Sequence, residues 1–381
     1  MKNLSLLIKP ASSSCNMRCR YCFYYDVADN RDIISYGIMD KKTTDLLIEQ
    51  AFEYIDNKGV ISFAFQGGEP TLAGLDYFTY FTRKVDKVNK ANLRINYSIQ
   101  TNGLLIDDDF CKLFKKYNFL VGISQDGPRE IHDVNRLDST LGPSYDMTDR
   151  AIKTMTKYGV DFNILSVVTK QMAKKPKTLF NYYLKRNIKY VQLIPCLSPL
   201  LESSNILEDS FQEGPVTPSN NRYQLSPRDY GSFLTDFFDL WYEAFMDGNY
   251  ISVRMFDNLV NMLKGRSPEQ CGMLGSCNLQ CIVEADGSIY PCDFYVLDKF
   301  KMGNIYTDEL TDICKPSRAK TFLDYEESKH PLCKTCKVYP ICRGGCKRYR
   351  SFYSKEVGYC PYQGFLYKSF DKLQNIARIV N

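Results

Sequence analysis

The chain has 381 residues, 44% of them hydrophobic and 24% charged, with a net charge of +5. That length can bury a large core in two domains, and the composition is that of an ordinary globular protein. Lysine and arginine are spread along the chain, which excludes a nucleic-acid footprint and leaves only weak docking of an acidic partner. No apolar run approaches the roughly 20 residues a membrane span needs. Met1 to Pro10 read as a short strand, not a secretory signal. The expected setting is the cytoplasm, with no membrane partner. Fifteen cysteines then point to metal ligation and away from a disulfide framework.

The first strand is predicted over Leu4–Ile8, and the loop after it carries Cys15, Cys19 and Cys22 in the spacing C-x3-C-x2-C. A cubane iron–sulfur cluster normally takes four cysteines. Three leave one iron open to a substrate or cofactor, as a catalytic zinc keeps one position open. The alternatives are buried free thiols, or zinc with a remote fourth ligand. With only His132 and His330 in the chain, a histidine for that fourth ligand is thinly supplied.

A helix follows over Lys41–Asn57 and a strand over Val60–Phe65, ending in Gln66-Gly67-Gly68-Glu69-Pro70. Two glycines let a backbone approach a ligand closely, while Glu69 or nearby carbonyls can accept from a cationic amine. A plain tight turn has the same composition. Next come a helix over Asp76–Lys90, a strand over Leu93–Ile99 ending in Gln100-Thr101-Asn102-Gly103, and a helix over Asp107–Tyr117. The strand Leu120–Ser124 leads into Gln125-Asp126-Gly127-Pro128, and a helix spans Tyr145–Tyr158. Ser124 and Arg150 are candidates for a ligand carboxylate, which arginine grips through paired hydrogen bonds. Arg150 also suits an ordinary helix surface. The strands Asp161–Val168 and Tyr190–Ile194 flank a helix over Lys177–Arg186, and Pro195 to Pro199 close the series.

Strand–helix alternation of this length implies parallel strands with right-handed crossovers. An open sheet and a partial barrel share that pattern. The collection of polar, glycine-rich loops at the C-terminal strand ends favours the α/β partial (β/α)6 barrel. Residues 201–224 read as a polar surface loop. Ser226-Pro227 reads as a cap and first turn of a helix running through Trp241 and Phe245 that packs on the barrel.

Most of the remaining cysteines gather in the C-terminal part. Cys271, Cys277 and Cys292, then Cys333, Cys336, Cys342, Cys346 and Cys360, supply eight thiolates. These suit two fully ligated clusters or two zinc sites, and spacing does not choose the metal. Ile282 to Tyr290 reads as a hairpin turning at Asp286-Gly287, carrying Cys292 and Asp293 toward the barrel. Asp293 there serves as a supporting group, a cap or a general base. Cys281 finds no partner, Cys314 stands apart from the ligand spacings, and Cys111 and Cys196 fall in apolar segments.

The cysteine triplet, with Tyr21 before its last member and Gly67-Gly68-Glu69 beyond, resembles the radical S-adenosylmethionine superfamily. The C-terminal cysteines resemble its SPASM subgroup. Leu6-Leu-Ile-Lys-Pro-Ala-Ser12, Tyr36-Gly-Ile-Met39, Phe63 to Gly74, Gln100 to Gly103 and Tyr290 to Lys299 resemble the anaerobic sulfatase-maturating enzymes over nearly the whole length. The resemblance implies a radical SAM partial barrel over 1–225, connecting helices over 226–270 and a SPASM auxiliary-cluster domain over 271–381. It also implies oxidation of a cysteine or serine in a sulfatase polypeptide to Cα-formylglycine by a 5′-deoxyadenosyl radical. Three [4Fe-4S] clusters and S-adenosyl-L-methionine are the implied cofactors.

By position, Cys15, Cys19 and Cys22 hold the cluster that cleaves S-adenosylmethionine. Gly67, Gly68 and Glu69 meet its amine, and Ser124 and Arg150 its carboxylate. Cys271, Cys277, Cys292 and Cys346 hold one auxiliary cluster, and Cys333, Cys336, Cys342 and Cys360 the other. Asp293 is the implied base, with Tyr24 and Gln66 lining the peptide site, and a flavodoxin or ferredoxin the implied electron donor. The loop 201–224 is longer and more polar than the family suggests, and Pro195 and Ser198 alter the loop after the sixth strand. Other products fit the same resemblance, since peptide maturases form thioether or carbon–carbon links, or epimerise residues. A non-catalytic electron carrier or zinc module is the reading from another class.

Overall fold

The computed structural model describes residues 2–56, 58–198, 200, 223–325 and 328–380. Its ten strands in chain order are β1 (Lys2–Ile8), β2 (Gly59–Phe65), β3 (Arg94–Thr101), β4 (Leu120–Ser124), β5 (Phe162–Val168), β6 (Tyr190–Pro195), β7 (Ser252–Val253), β8 (Cys281–Val283), β9 (Ser288–Tyr290) and β10 (Gly303–Asn304). The chain divides into two compact units. One comprises Met1–Ser124, Arg136–Phe162 and Leu279–Tyr325, the other Gln125–Asn135, Asn163–Asn278 and Glu326–Asn381. Boundaries near 225 and 270 do not coincide with these units, because the segment after Leu279 packs with the first strands.

In the first unit β1 to β4 run parallel in sequence order, with Leu6 opposite Phe63, Ile61 opposite Ile95 and Ile99 opposite Val121. Alternate residues of β1 (Leu4, Leu6 and Ile8) are buried, the period-two pattern of a strand with one face on a core. Phe63, Phe65, Tyr97 and Phe119 fill that core, and the Tyr97 and Phe119 rings stack 4.9 Å apart. The helix Lys41–Ile55 begins where Asp40 accepts from the Thr43 amide, and Asp107 caps Asp108–Lys116 in the same way.

The hairpin of β8 and β9 turns at Gly287, which adopts φ +82°. It joins the free side of β1, with Leu6 opposite Cys281 and Ile8 opposite Val283. Lys9 N–H then donates to the Val283 carbonyl at 2.8 Å. The extension of the sheet beyond β1 is what delivers Cys292 and Asp293 to the end of the first strand.

In the second unit β5, β6 and β7 are parallel neighbours. The helix Pro227–Met246 starts at Ser226, whose hydroxyl accepts from the Asp229 amide. Its aromatic stripe packs on the helix Pro176–Lys185 through Phe180 and Phe237, 5.3 Å apart. Trp241 is buried and donates to the Ile251 carbonyl at 2.7 Å.

The sequence reading misses the short helices Phe23–Asp29, Arg129–Asn135 and Lys347–Tyr353, each of seven residues and too short to display a helical period. It also misses the 19-residue helix Pro361–Ile379. Most of the loop expected over 201–224 lies outside the described residues. The cysteine assignment needs one correction. Cys281, left without a partner, is joined to Cys314 in a disulfide with a Cα–Cα distance of 6.6 Å. A separation of 33 residues carries no local signal, and only the packing of β8 near the helix Leu310–Ile313 brings the thiols together. Among the described residues no helix is long and apolar enough to cross a membrane.

Candidate active site

The loop after β1 turns tightly. Ser12 takes φ +49°, Ser12 N–H donates to Lys9, and Ser14 N–H donates to Ala11. Cys15, Cys19 and Cys22 follow, all half-buried, and Cys22 leads into the helix Phe23–Asp29. Burial pushes the Cys15 thiol up to about 12, with the Glu69 charge adding to the effect, and burial also raises Cys22. Thiols in this state need a metal's charge to become ligands, since coordination deprotonates them outright. Three soft sulfur donors on one loop suit an iron–sulfur cluster.

The strand-end loop after β2 packs against that cysteine loop. Gly68 N–H donates to the Ser12 carbonyl at 2.9 Å and Glu69 N–H to the Ser14 carbonyl at 2.8 Å. A Cβ on Gly68 would lie 2.2 Å from the Ser14 oxygen, and one on Gly67, at φ +126°, 2.7 Å from the Ser12 oxygen. Both glycines make a close approach to the cysteine loop itself.

Glu69 is 1% exposed. One oxygen accepts from the Thr71 amide (3.0 Å), the Thr71 hydroxyl (2.6 Å) and the Thr101 hydroxyl (2.7 Å), and the other from the Asn102 amide (2.7 Å). The first oxygen is fully engaged, while the second, with one donor, keeps an accepting site. Burial raises its carboxyl above the ordinary value, opposed by these same hydrogen bonds. Glu69 thus ties the loops after β2 and β3 together. Asn102 completes the tie, donating to Asn16 at 2.8 Å with the Cys15 sulfur 3.9 Å away.

Asp293 sits differently. Its two oxygens accept one bond each, from Lys9 at 2.6 Å and from the Gln66 amide at 2.7 Å. The ammonium of fully buried Lys9 also stands 3.6 Å from the centre of the Tyr24 ring. Tyr24 donates to Glu284 at 2.7 Å, and Arg31 donates to the same oxygen at 2.6 Å. Burial pushes the Glu284 carboxyl up, but the charges of Lys9 and Arg31 outweigh it and leave the carboxyl below its usual value. Burial and the Glu284 charge push the Tyr24 phenol well above its own, so it remains a donor. Two cations and two carboxylates thus balance around one ring. Asp293, Tyr24 and Gln66 were legible in the sequence. Lys9, Arg31 and Glu284 were not singled out, although an isolated lysine ending an apolar strand was a signal.

Ser124 accepts from Gln100 at 3.1 Å. Arg150 is exposed and donates to the Leu104 carbonyl at 3.4 Å. Besides Arg31, Arg136 is a buried arginine of this unit; it stacks 5.4 Å over the Tyr21 ring and its charge favours the Cys22 thiolate. Sequence reasoning missed Arg136 because the loop carrying it has no periodicity.

In the second unit Cys346 is pushed up to about 11 by burial, with Cys277 and Cys271 as its charged neighbours. A Cβ on Gly272 would approach the Cys346 Cβ to 3.1 Å. Burial likewise pushes Cys342 up to about 12, beside Cys360, Cys333 and Cys336. Cys333, Cys342 and Cys360 line a small cavity with His330 and Arg350. The donors and the cavity among them suit an iron–sulfur cluster. Cys292 belongs to the first unit, one residue before Asp293. Among the described residues no three His, Cys, Asp or Glu side chains stand close enough to share a single metal ion.

Comparison with known proteins agrees with these donors. Residues 10–178 match the radical SAM superfamily, and residues 275–337 an iron–sulfur cluster-binding domain, SPASM. A cysteine-type anaerobic sulfatase-maturating enzyme of Clostridium novyi is 40% identical, over 99% of this chain and 98% of its own. The chain belongs to the anaerobic sulfatase-maturating enzyme family. The cysteine-type enzyme of Clostridium perfringens is 42% identical over 99% of both chains. The solved structure described as native anSMEcpe with bound AdoMet and Cp18Cys peptide superposes with a TM-score of 0.86, at 40% identity and full coverage of both chains. The fold is accordingly the α/β radical SAM fold with a SPASM domain, and the family's cofactors are [4Fe-4S] clusters and S-adenosylmethionine.

Proposed function

We propose that this protein oxidises a cysteine side chain of a sulfatase polypeptide to Cα-formylglycine. The observation that carries the reading is Asp293, a buried carboxylate held at both oxygens by Lys9 and Gln66, in a chain similar to cysteine-type maturases over its whole length.

Cys15, Cys19 and Cys22 would hold the first cluster, and two further clusters would be held by Cys271, Cys277, Cys292 and Cys346 and by Cys333, Cys336, Cys342 and Cys360. When bound, the first cluster and S-adenosylmethionine supply a radical that removes a hydrogen atom from carbon, and the others take up an electron. The backbone carbonyls of the Gly67–Gly68 loop, with the second oxygen of Glu69, would receive the methionine amine. Ser124 would face the carboxylate, with Arg136 a stronger candidate than exposed Arg150.

The chain's own contribution is to the proton. Each Asp293 oxygen keeps an accepting site after bonding Lys9 or Gln66, so the carboxylate can take the proton of a substrate thiol brought within hydrogen-bond reach. Loss of a hydrogen atom from Cβ, of the S–H proton to Asp293 and of one electron leaves a thioaldehyde. Water then replaces the sulfur, giving the aldehyde and hydrogen sulfide. Tyr24, kept as a neutral phenol, and Gln66 would line the peptide site. A small acidic redox protein of flavodoxin or ferredoxin type would deliver the electron that starts the cycle.

The test is anaerobic incubation of the reconstituted protein with reductant, S-adenosylmethionine and a peptide containing Cys-x-Pro-x-Arg. Mass spectrometry should show the aldehyde, trapped by a hydrazine, in step with 5′-deoxyadenosine. A thioether or carbon–carbon link, or an epimer of unchanged mass, would replace this reading with that of another peptide maturase.

A further inference from the structure

Cys281 and Cys314 serve none of the roles above, yet the fold places them together. Cys281 is the first residue of β8 and is 7% exposed, whereas Cys314, at the end of the helix Leu310–Ile313, is half-buried. Neither element depends on the bond between them. β8 is held in register on β1 from Leu6 to Ile8. The helix is held by Gln50, which accepts from the Leu310 amide at 2.9 Å and donates to the Ile305 carbonyl at 2.9 Å. The two sulfurs therefore stay neighbours when the bond opens, and one of them is open to attack from solvent. The span they enclose, 281–314, contains Glu284, Cys292 and Asp293.

We propose that Cys281 and Cys314 form a reversible thiol-oxidation site whose co-reactant is a low-molecular-weight disulfide. Cys314, as thiolate, attacks one sulfur of the small disulfide; that S–S bond breaks and one small thiolate leaves. Cys281, as thiolate, attacks the Cys314 sulfur of the mixed disulfide, and the second small thiolate leaves. The protein loses two electrons, the small disulfide gains them, and the two protons go to the departing thiolates. Closure staples the base of the hairpin that bears Cys292 and Asp293. It also removes Cys281, a spare thiol in that hairpin, from competition for iron. Excess small thiol reverses each step. The site does not depend on which peptide the enzyme modifies.

The experiment uses the anaerobically reconstituted holoprotein, treated with 2-hydroxyethyl disulfide, quenched in acid, alkylated, digested and read by mass spectrometry. The expected product is a 281–314 cross-link that dithiothreitol removes, with iron content unchanged. The holoprotein, kept anaerobic, should then melt roughly 5 °C or more higher in its oxidised than its reduced form. That difference should vanish in Cys314→Ala, which should keep the wild-type iron content. Alkylation of both thiols after oxidant treatment would overturn the proposal. So would loss of iron in Cys281→Ala, which would make Cys281 a cluster ligand.

Discussion

Glu69 and Asp293 are both buried carboxylates at the ends of strands that meet the cysteine loop, and they have opposite jobs. Glu69 accepts four hydrogen bonds from two loops, three of them on one oxygen, so it acts as a brace. Asp293 accepts two, so a proton can still reach each oxygen. Burial alone does not mark a catalytic carboxylate. What matters is how much of its hydrogen-bonding capacity the fold has left free.

The contrast is sharpest in Asp293→Asn. Formylglycine production should fall by about 10²–10⁴-fold, while 5′-deoxyadenosine still forms in an assay without coupled product. An unchanged product yield would remove Asp293 from the role of base. Lys9→Met attacks the same carboxylate from its partner's side. It leaves a buried charge without its ion-pair partner and should lower stability by ~3–5 kcal/mol in denaturant unfolding; a loss under 1 kcal/mol would show the pair to be loosely held.

Glu69→Gln should lower stability by about 1–3 kcal/mol, because its amide N–H₂ must face a donor. S-adenosylmethionine binding should weaken through displacement of the cysteine loop. If cofactor affinity by equilibrium dialysis is unchanged, the brace does not position that loop. Glu284 gives the comparison a pH axis. Its folded carboxyl lies below its unfolded value of about 4.3, so its contribution is present above that pH and lost as pH falls through the lower folded value. Glu284→Gln should flatten the stability profile below about pH 4.5, and a parallel profile would count against the ion pair with Arg31. The smallest effect belongs to exposed Arg150→Ala, within ~0.5 kcal/mol of wild type in stability, with S-adenosylmethionine affinity falling less than in Arg136→Ala. The reverse order of affinities would restore Arg150 as the carboxylate ligand.

Much of this could be read without a structure. The strands β1 to β6 begin and end within two residues of their expected positions, because β-branched and aromatic runs bounded by turn residues carry a strong local signal. The cysteine triplet was legible for the same reason, since one loop must wrap one body. Glu69 was singled out, but its bracing of two loops was not legible, because a sequence shows that a carboxylate is present but not how many donors surround it.

The sequence by itself determined the alternating α/β architecture, the three-sulfur loop and the two sulfur-rich sets toward the C-terminus, all set by residue type and short spacing. Tertiary structure alone decided that Lys9 meets Asp293 across 284 residues, that Arg31 meets Glu284, and that Cys281 meets Cys314. The cause is register: once β8 pairs with β1, residues with no local relation share one buried space, where charge balance and free lone pairs are decided.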